Sequence, residues 1–155
     1  MIPTAESPDV FGNTVFCDDI REEVGGKVSL IGAYMGGMNV HSPFPATVVK
    51  FAFAISLWQR HTRYRRNISF RVYLPGDEDE TPSIESQLEA PPIPEEATHT
   101  PFVVIRANLS LTGMVIKEAG PIRVRAFMDG VLYPIGSLMV TQAPTSEVPP
   151  APAAA

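Results

Sequence analysis

The stretch Ile122–Val140, IRVRAFMDGVLYPIGSLMV, decides the fold class. Ile122, Val124, Ala126 and Met128 alternate with Arg123, Arg125 and Phe127. A period of two puts successive side chains on opposite faces of a strand, one on a core and one in water. Asp129-Gly130 then separates this run from a second apolar run, Val131–Val140. Asp-Gly between apolar runs is a strong hairpin signal, because the turn needs positive φ, which Gly adopts without steric cost. The stretch reads as two antiparallel strands joined by a tight turn.

Two segments upstream repeat the alternation. Ile68, Phe70, Val72 and Leu74 oppose Ser69, Arg71 and Tyr73; Val103, Ile105, Ala107, Leu109 and Leu111 oppose Arg106, Asn108, Ser110 and Thr112. The run VVKFAFAISLW, Val48–Trp58, is more continuously apolar and reads as a central strand. Alternating strands of this kind belong to antiparallel sheets, since strands buried on both faces read as unbroken apolar runs. Sixteen prolines and eleven glycines in 155 residues favour short strands and turns over helices. The expected fold is all-β: an antiparallel two-sheet β-sandwich, immunoglobulin-like in the broad sense, with at most one short helix.

The domain organisation follows from composition. Residues 1–13 read as a flexible N-terminal arm and 14–142 as a single β-sandwich domain. Within it, 75–101 forms a long acidic, Pro-rich connection carrying a short strand near Gln87–Glu89. Residues 143–155, APTSEVPPAPAAA, read as a disordered Pro/Ala-rich tail. A formal net charge of −5 argues against a nucleic-acid binder, whose affinity rests on neutralising phosphates. With one cysteine there is no intrachain disulfide, and no apolar run is long enough to span a bilayer. No secretory leader is read at the start, so the expected location is cytoplasmic.

A second stretch, CDDIREEVGGKVSLIGAY from Cys17 to Tyr34, concentrates reactive residue types. A phosphate-binding loop would need G-x-x-x-x-G-K-[S/T]; here Val28 follows Gly26-Lys27 and Arg21 stands where the first glycine belongs. Cys17, inside Val-Phe-Cys, reads as a small buried apolar residue more readily than as a nucleophile. Asp19 and Glu22 have the spacing of a helix N-cap and its third-position acid, with Gly25 as the stop, so DDIREEVGG reads as one helical turn or a wide acidic loop within a hairpin. The run VFCDDIREEVGGKVSLIGAY, with the later Pro43-Phe44-Pro45, resembles the N-terminal signature of a family of uncharacterised bacterial proteins, a domain of unknown function. The resemblance implies a compact β-rich domain. It carries no activity and no catalytic residues.

RHTRYRR, Arg60–Arg66, is the candidate binding segment: Arg60, Arg63, Tyr64, Arg65 and Arg66 cluster in the turn between two strands. Clustered arginines beside an aromatic suit an acidic ligand, whereas the bland alternative pairs them with Asp77–Glu80 in GDEDE. GDEDE itself lacks the spaced ligand ladder of a calcium loop and reads as a solvated acidic loop. Trp58 reads as a core or rim residue at a strand end. The expected function is a non-catalytic module for protein interaction or assembly, with the partner a protein, self-association open, and no cofactor, metal site or catalytic residue assigned. Two alternatives stand beside it. One is a small metal-dependent or hydrolytic enzyme using Asp18 or Asp19 with one of His41, His61 and His99. The other is a binder of an acidic ligand through Arg60–Arg66.

Overall fold

The computed structural model describes residues 1–2 and 4–144. Its strands are β1 (Val10–Cys17), β2 (Asp19–Glu23), β3 (Lys27–Ile31), β4 (Gly37–Val40), β5 (Ala46–Arg60), β6 (Asn67–Tyr73), β7 (Ile84–Glu89), β8 (Phe102–Ile116), β9 (Gly120–Met128) and β10 (Val131–Gln142). The helical content of the described residues is two 3-10 turns, His61–Arg63 and Glu95–His99. A three-stranded sheet, β1-β5-β8, packs against a five-stranded sheet, β4-β10-β9-β6-β7, and β2-β3 forms a separate ribbon. The fold is an all-β sandwich. Of the expected tail, residues 145–155 lie outside the described residues; Ala143 is buried and its amide donates to the Val40 carbonyl at 2.8 Å.

The inward rows land as the period requires. Ile122, Val124 and Ala126 are fully buried and Met128 nearly so, and Ile68, Phe70 and Val72 face them from β6. Asp129 and Gly130 take φ of 48° and 77° and join Met128 to Val131, as the Asp-Gly reading expected. β5 is the central strand of its sheet, and its inward row of Phe51, Phe53, Ile55, Leu57 and Gln59 is at most 1% exposed. Phe16, Phe51 and Phe53 form an aromatic knot there, with Phe51 and Phe53 rings crossing edge to face at 5.0 Å.

The two sheets approach most closely where β1 meets β10. The Thr14 hydroxyl donates to the Ile135 carbonyl at 2.9 Å, at an irregularity in the β9-β10 register between Pro134 and Gly136. Glycine is required here for space: a Cβ on Gly136 would stand 2.6 Å from Thr14 Cβ, and one on Gly12 2.7 Å from the Ser56 carbonyl oxygen.

Three expectations need correction. Asp19–Glu23 is a strand, not a helical turn: it pairs antiparallel with Lys27–Ile31 through a three-residue connection in which Gly25 and Gly26 take φ of 85° and 72°. Two adjacent positive-φ glycines turn the chain back on itself, and the cross-strand ladder then satisfies backbone groups that a single capped turn would leave open. Next, the sheets are antiparallel with one exception, β4 running parallel to β10. Their connection is most of the chain, so no local turn signal marks the pair. Lastly, Tyr73 is fully buried although it sits on the nominal water side of β6. Arg123 and Arg125 lie over its ring, each 5.0 Å from the centroid, and shield it.

Candidate functional site

The segment Arg60–Arg66 is the turn from β5 to β6, and its shape is set from inside. Gln59 is fully buried; its side-chain amide donates to the Arg65 carbonyl at 2.9 Å and its oxygen accepts from the Arg65 amide at 2.8 Å. That pair holds the turn against the end of β5. The arginines then fan outward to three acids of the same chain, Asp9, Asp129 and Glu89. Arg60 donates to Asp9 at 2.7 Å and to the Ser7 carbonyl at 2.9 Å, with its guanidinium 4.9 Å above the Phe102 ring. Arg63 reaches the other Asp9 oxygen at 3.3 Å. Arg65 pairs with Asp129 in the β9-β10 turn. Arg66 donates to the Ala90 carbonyl at 2.8 Å and to Glu89 at 3.2 Å. The Tyr64 hydroxyl donates to the Pro91 carbonyl at 2.7 Å, and burial raises its pKa.

The structure gives these arginines internal acidic partners, but not the Asp77–Glu80 loop that the bland alternative named. Asp77 is turned onto its own loop, where one carboxylate oxygen accepts from the Leu74 and Ser83 amides and from the Ser83 hydroxyl. Asp79 accepts from Arg123 at 2.7 Å and from Arg125 at 3.0 Å. The hydrogen bond from Arg123, aided by the charge of Arg125, holds the Asp79 carboxyl below the ordinary carboxylate value. The segment works as a clasp, tying residues 7–9, the β7 end and the β9-β10 turn to the β5-β6 turn.

The residues of the β1-β2 corner are equally committed. Asp18 accepts from the Tyr34 hydroxyl at 2.9 Å; burial, with this bond second, pushes the Tyr34 pKa up to about 12. Asp19 pairs with Lys50 at 2.7 Å and with Arg21 at 3.4 Å, and the Lys50 contact lowers its pKa. Among the described residues no histidine is hydrogen-bonded to Asp18, Asp19 or Cys17, and no group of three or more His, Cys, Asp or Glu side chains is placed to hold a metal ion. Cys17 is fully buried, its thiol 3.5 Å from the Asp19 carbonyl, and burial raises its pKa. A thiol reagent at neutral pH is thus expected to leave native protein unlabelled and to titrate one thiol in denaturant. Labelling of native protein at the rate of a free thiol would refute the structural reading of Cys17.

Sequence reasoning missed a tier on the outer face of the five-stranded sheet. Register places Arg71 opposite Arg125 and Tyr73 opposite Arg123. Arg71 lies 4.0 Å over Phe127, and its Nε stands 3.5 Å from Glu85 without hydrogen-bond geometry. The Tyr73 hydroxyl also has no hydrogen-bond partner among the described residues. Like charges directly opposite are unfavourable, and the guanidinium groups lie instead over neighbouring rings. The alternating arginines were visible in sequence; their meeting depends on register between strands far apart along the chain.

The β2-β3 ribbon carries several exposed apolar side chains. Val24 at its tip is 94% exposed and Met35, just beyond β3, is 95% exposed; Val28, Leu30 and Ile31 are also exposed. Acids rim it, with Asp18, Asp19, Glu22 and Glu23 against Arg21 and Lys27. An isolated two-stranded ribbon is marginal in water. This one is anchored at its base: the Asp18 amide donates to the Ile31 carbonyl at 2.9 Å, the Tyr34 amide to the Phe16 carbonyl at 2.8 Å, and Lys50 of β5 pairs with Asp19.

A family model described as a family of unknown function (DUF6941) matches residues 13–141. No curated protein matches the chain.

Proposed function

This chain belongs to the DUF6941 family, and from that premise we propose that it is a non-catalytic interaction module that engages a protein partner through the β2-β3 ribbon. One observation carries the reading: Val24, Val28, Leu30 and Ile31 are exposed on one anchored ribbon, and Met35 is exposed just beyond its base. Large apolar side chains held in water cost free energy that a partner recovers by covering them. The acidic rim suits a partner whose apolar groove is bordered by basic residues. Loops and ribbons carried on a rigid two-sheet frame are also how immunoglobulin-like sandwiches in the broad sense present binding surfaces, an analogy at the level of fold alone.

A second reading, an acidic ligand held by Arg60, Arg63, Tyr64, Arg65 and Arg66, has the exposure of Arg63 in its favour, with 67% of its side chain open. Such a ligand must compete with Asp9, Glu89 and Asp129, which already occupy the guanidinium groups.

The two readings separate in one comparison. Capture from native extract by wild-type chain is set against V24S/L30S/M35S and against R63A/R65A/R66A. The ribbon reading expects the first variant to keep its melting temperature and to lose capture by about tenfold or more, the scale of a hot-spot contact. It expects the arginine variant to capture normally. Capture that survives the ribbon substitutions ends the ribbon reading; capture lost only with the arginines, and weakened by salt, transfers the function to the clasp.

A further inference from the structure

The edges of the two sheets are unequal. The outer side of β1 is closed by β10 through the Thr14–Ile135 hydrogen bond and the Gly12 and Gly136 approaches. β4 is four residues long, and β7 is six residues with Glu85 and Glu89 on it. β8 is different: fifteen residues, paired on one side with β5 and, among the described residues, with no strand on the other. Long edge strands are ordinarily guarded by charge, proline or a bulge, because a free ladder invites another strand. β8 holds no acid, no proline and one charge, Arg106. Its inward row is also incompletely covered. Ala107, Leu109 and Leu111 are half-buried, whereas Ile55, Phe53 and Phe51 opposite them in β5 are 1%, 0% and 0% exposed.

We propose that a second copy of this chain pairs antiparallel with the free edge of β8, centred on Leu109, joining two three-stranded sheets into one of six strands. The inference concerns a different surface from the ribbon and does not depend on it. Residues 91–94 lie beside Val103–Arg106 at one end of the edge, and Gly113, with φ of 68°, bends the strand at the other. The uncharged stretch Ala107–Thr112 lies between them. Opposed residues in an antiparallel pair share a face, so a two-fold pairing that continues the sheet must be centred on a residue. About Leu109, Ala107 meets Leu111 of the second copy on the core side, Asn108 meets Ser110 on the outer side, and Leu109 meets itself. Apolar faces apolar, polar faces polar, and no charge faces its like. A strand complementary to itself fits the isologous interface of a two-fold dimer.

The test is molar mass by sedimentation equilibrium over a wide concentration range. Asn108 and Ser110 are both exposed, and their cross-strand partners in β5 are Ala54 and Ala52, so charges placed there face no charge directly across the ladder within one copy. Wild type is expected to dimerise. N108E/S110E opposes glutamates across the interface and is expected to raise the dissociation constant about a hundredfold or more. N108K/S110E opposes lysine to glutamate and is expected to restore the dimer, with circular dichroism unchanged in all three. A wild type that is monomeric at every concentration, a dimer that N108E/S110E leaves intact, or a failure of N108K/S110E to restore the dimer each overturns the proposal.

Discussion

Replacing Phe53 by alanine is expected to destabilise the domain by about 3–5 kcal/mol, the usual range for a buried phenylalanine. Phe53 sits on the central strand β5, fully buried, with its ring edge to face against Phe51 at 5.0 Å and against Phe16 at 5.7 Å. The loss has three parts: the transfer of the ring from water, the cavity left behind, and the geometry of two aromatic pairs. Relaxation into the cavity is restricted, because Phe53 is bracketed by β1 through Phe16 and by β8 through Leu109 in the ladder. For a chain of this size that corresponds to a fall in melting temperature of roughly 10 °C. Urea titration gives the check, as a lower midpoint at unchanged slope. A loss below about 1 kcal/mol would mean that the knot of Phe16, Phe51 and Phe53 is not the centre of the fold.

Gln59→Leu is expected to cost about 2–4 kcal/mol, from loss of both hydrogen bonds to Arg65. Leucine keeps most of the volume and buries more readily than glutamine, so packing does not drive the loss. What remains is an Arg65 amide and carbonyl with no side-chain partner beside a closed core. Unmet groups of this kind cost about 1–3 kcal/mol each when water is excluded, and the partial burial of these two bonds holds the sum to the stated range. The effect should be insensitive to salt. Arg65→Ala, which removes the exposed contact with Asp129, should cost about 0–1 kcal/mol, and that cost should shrink as salt rises. If the two variants lose equal stability with equal salt dependence, the turn is held by its charges and not by Gln59.

These expectations draw on different parts of the molecule, and the parts were not equally legible. The alternation in Ile68–Leu74 and Ile122–Met128, and the Asp-Gly turn after the latter, each lie within about ten residues, and their physics is local: a pleat of period two and a backbone that needs positive φ. They held. Asp19–Glu23 also had a local signal, an N-cap spacing, and it failed because the Gly25-Gly26 turn offered those residues a ladder with Lys27–Ile31. β4 has no alternation long enough to read, though Met38 and Val40 are buried in the core.

The arginines show the limit most clearly. Sequence alone located Arg60–Arg66 in a turn and established its charge, its flanking strands and the acids available to the chain. It could not choose among those acids. Asp9, Glu89 and Asp129 are distant along the chain and are brought to the turn only by the pairing of β1 with β5, β6 with β7 and β6 with β9. In the nearer Asp77–Glu80 loop, the Asp79 carboxylate and the Asp77 carbonyl accept from Arg123 and Arg125 instead. Alternation and turn chemistry are fixed by neighbours along the chain, so the all-β class, the β9-β10 hairpin and the inward rows were determined by sequence. Ion-pair partners, the parallel β4-β10 pair and the burial of Tyr73 depend on register between distant strands, which burial of the whole core selects and no single segment encodes.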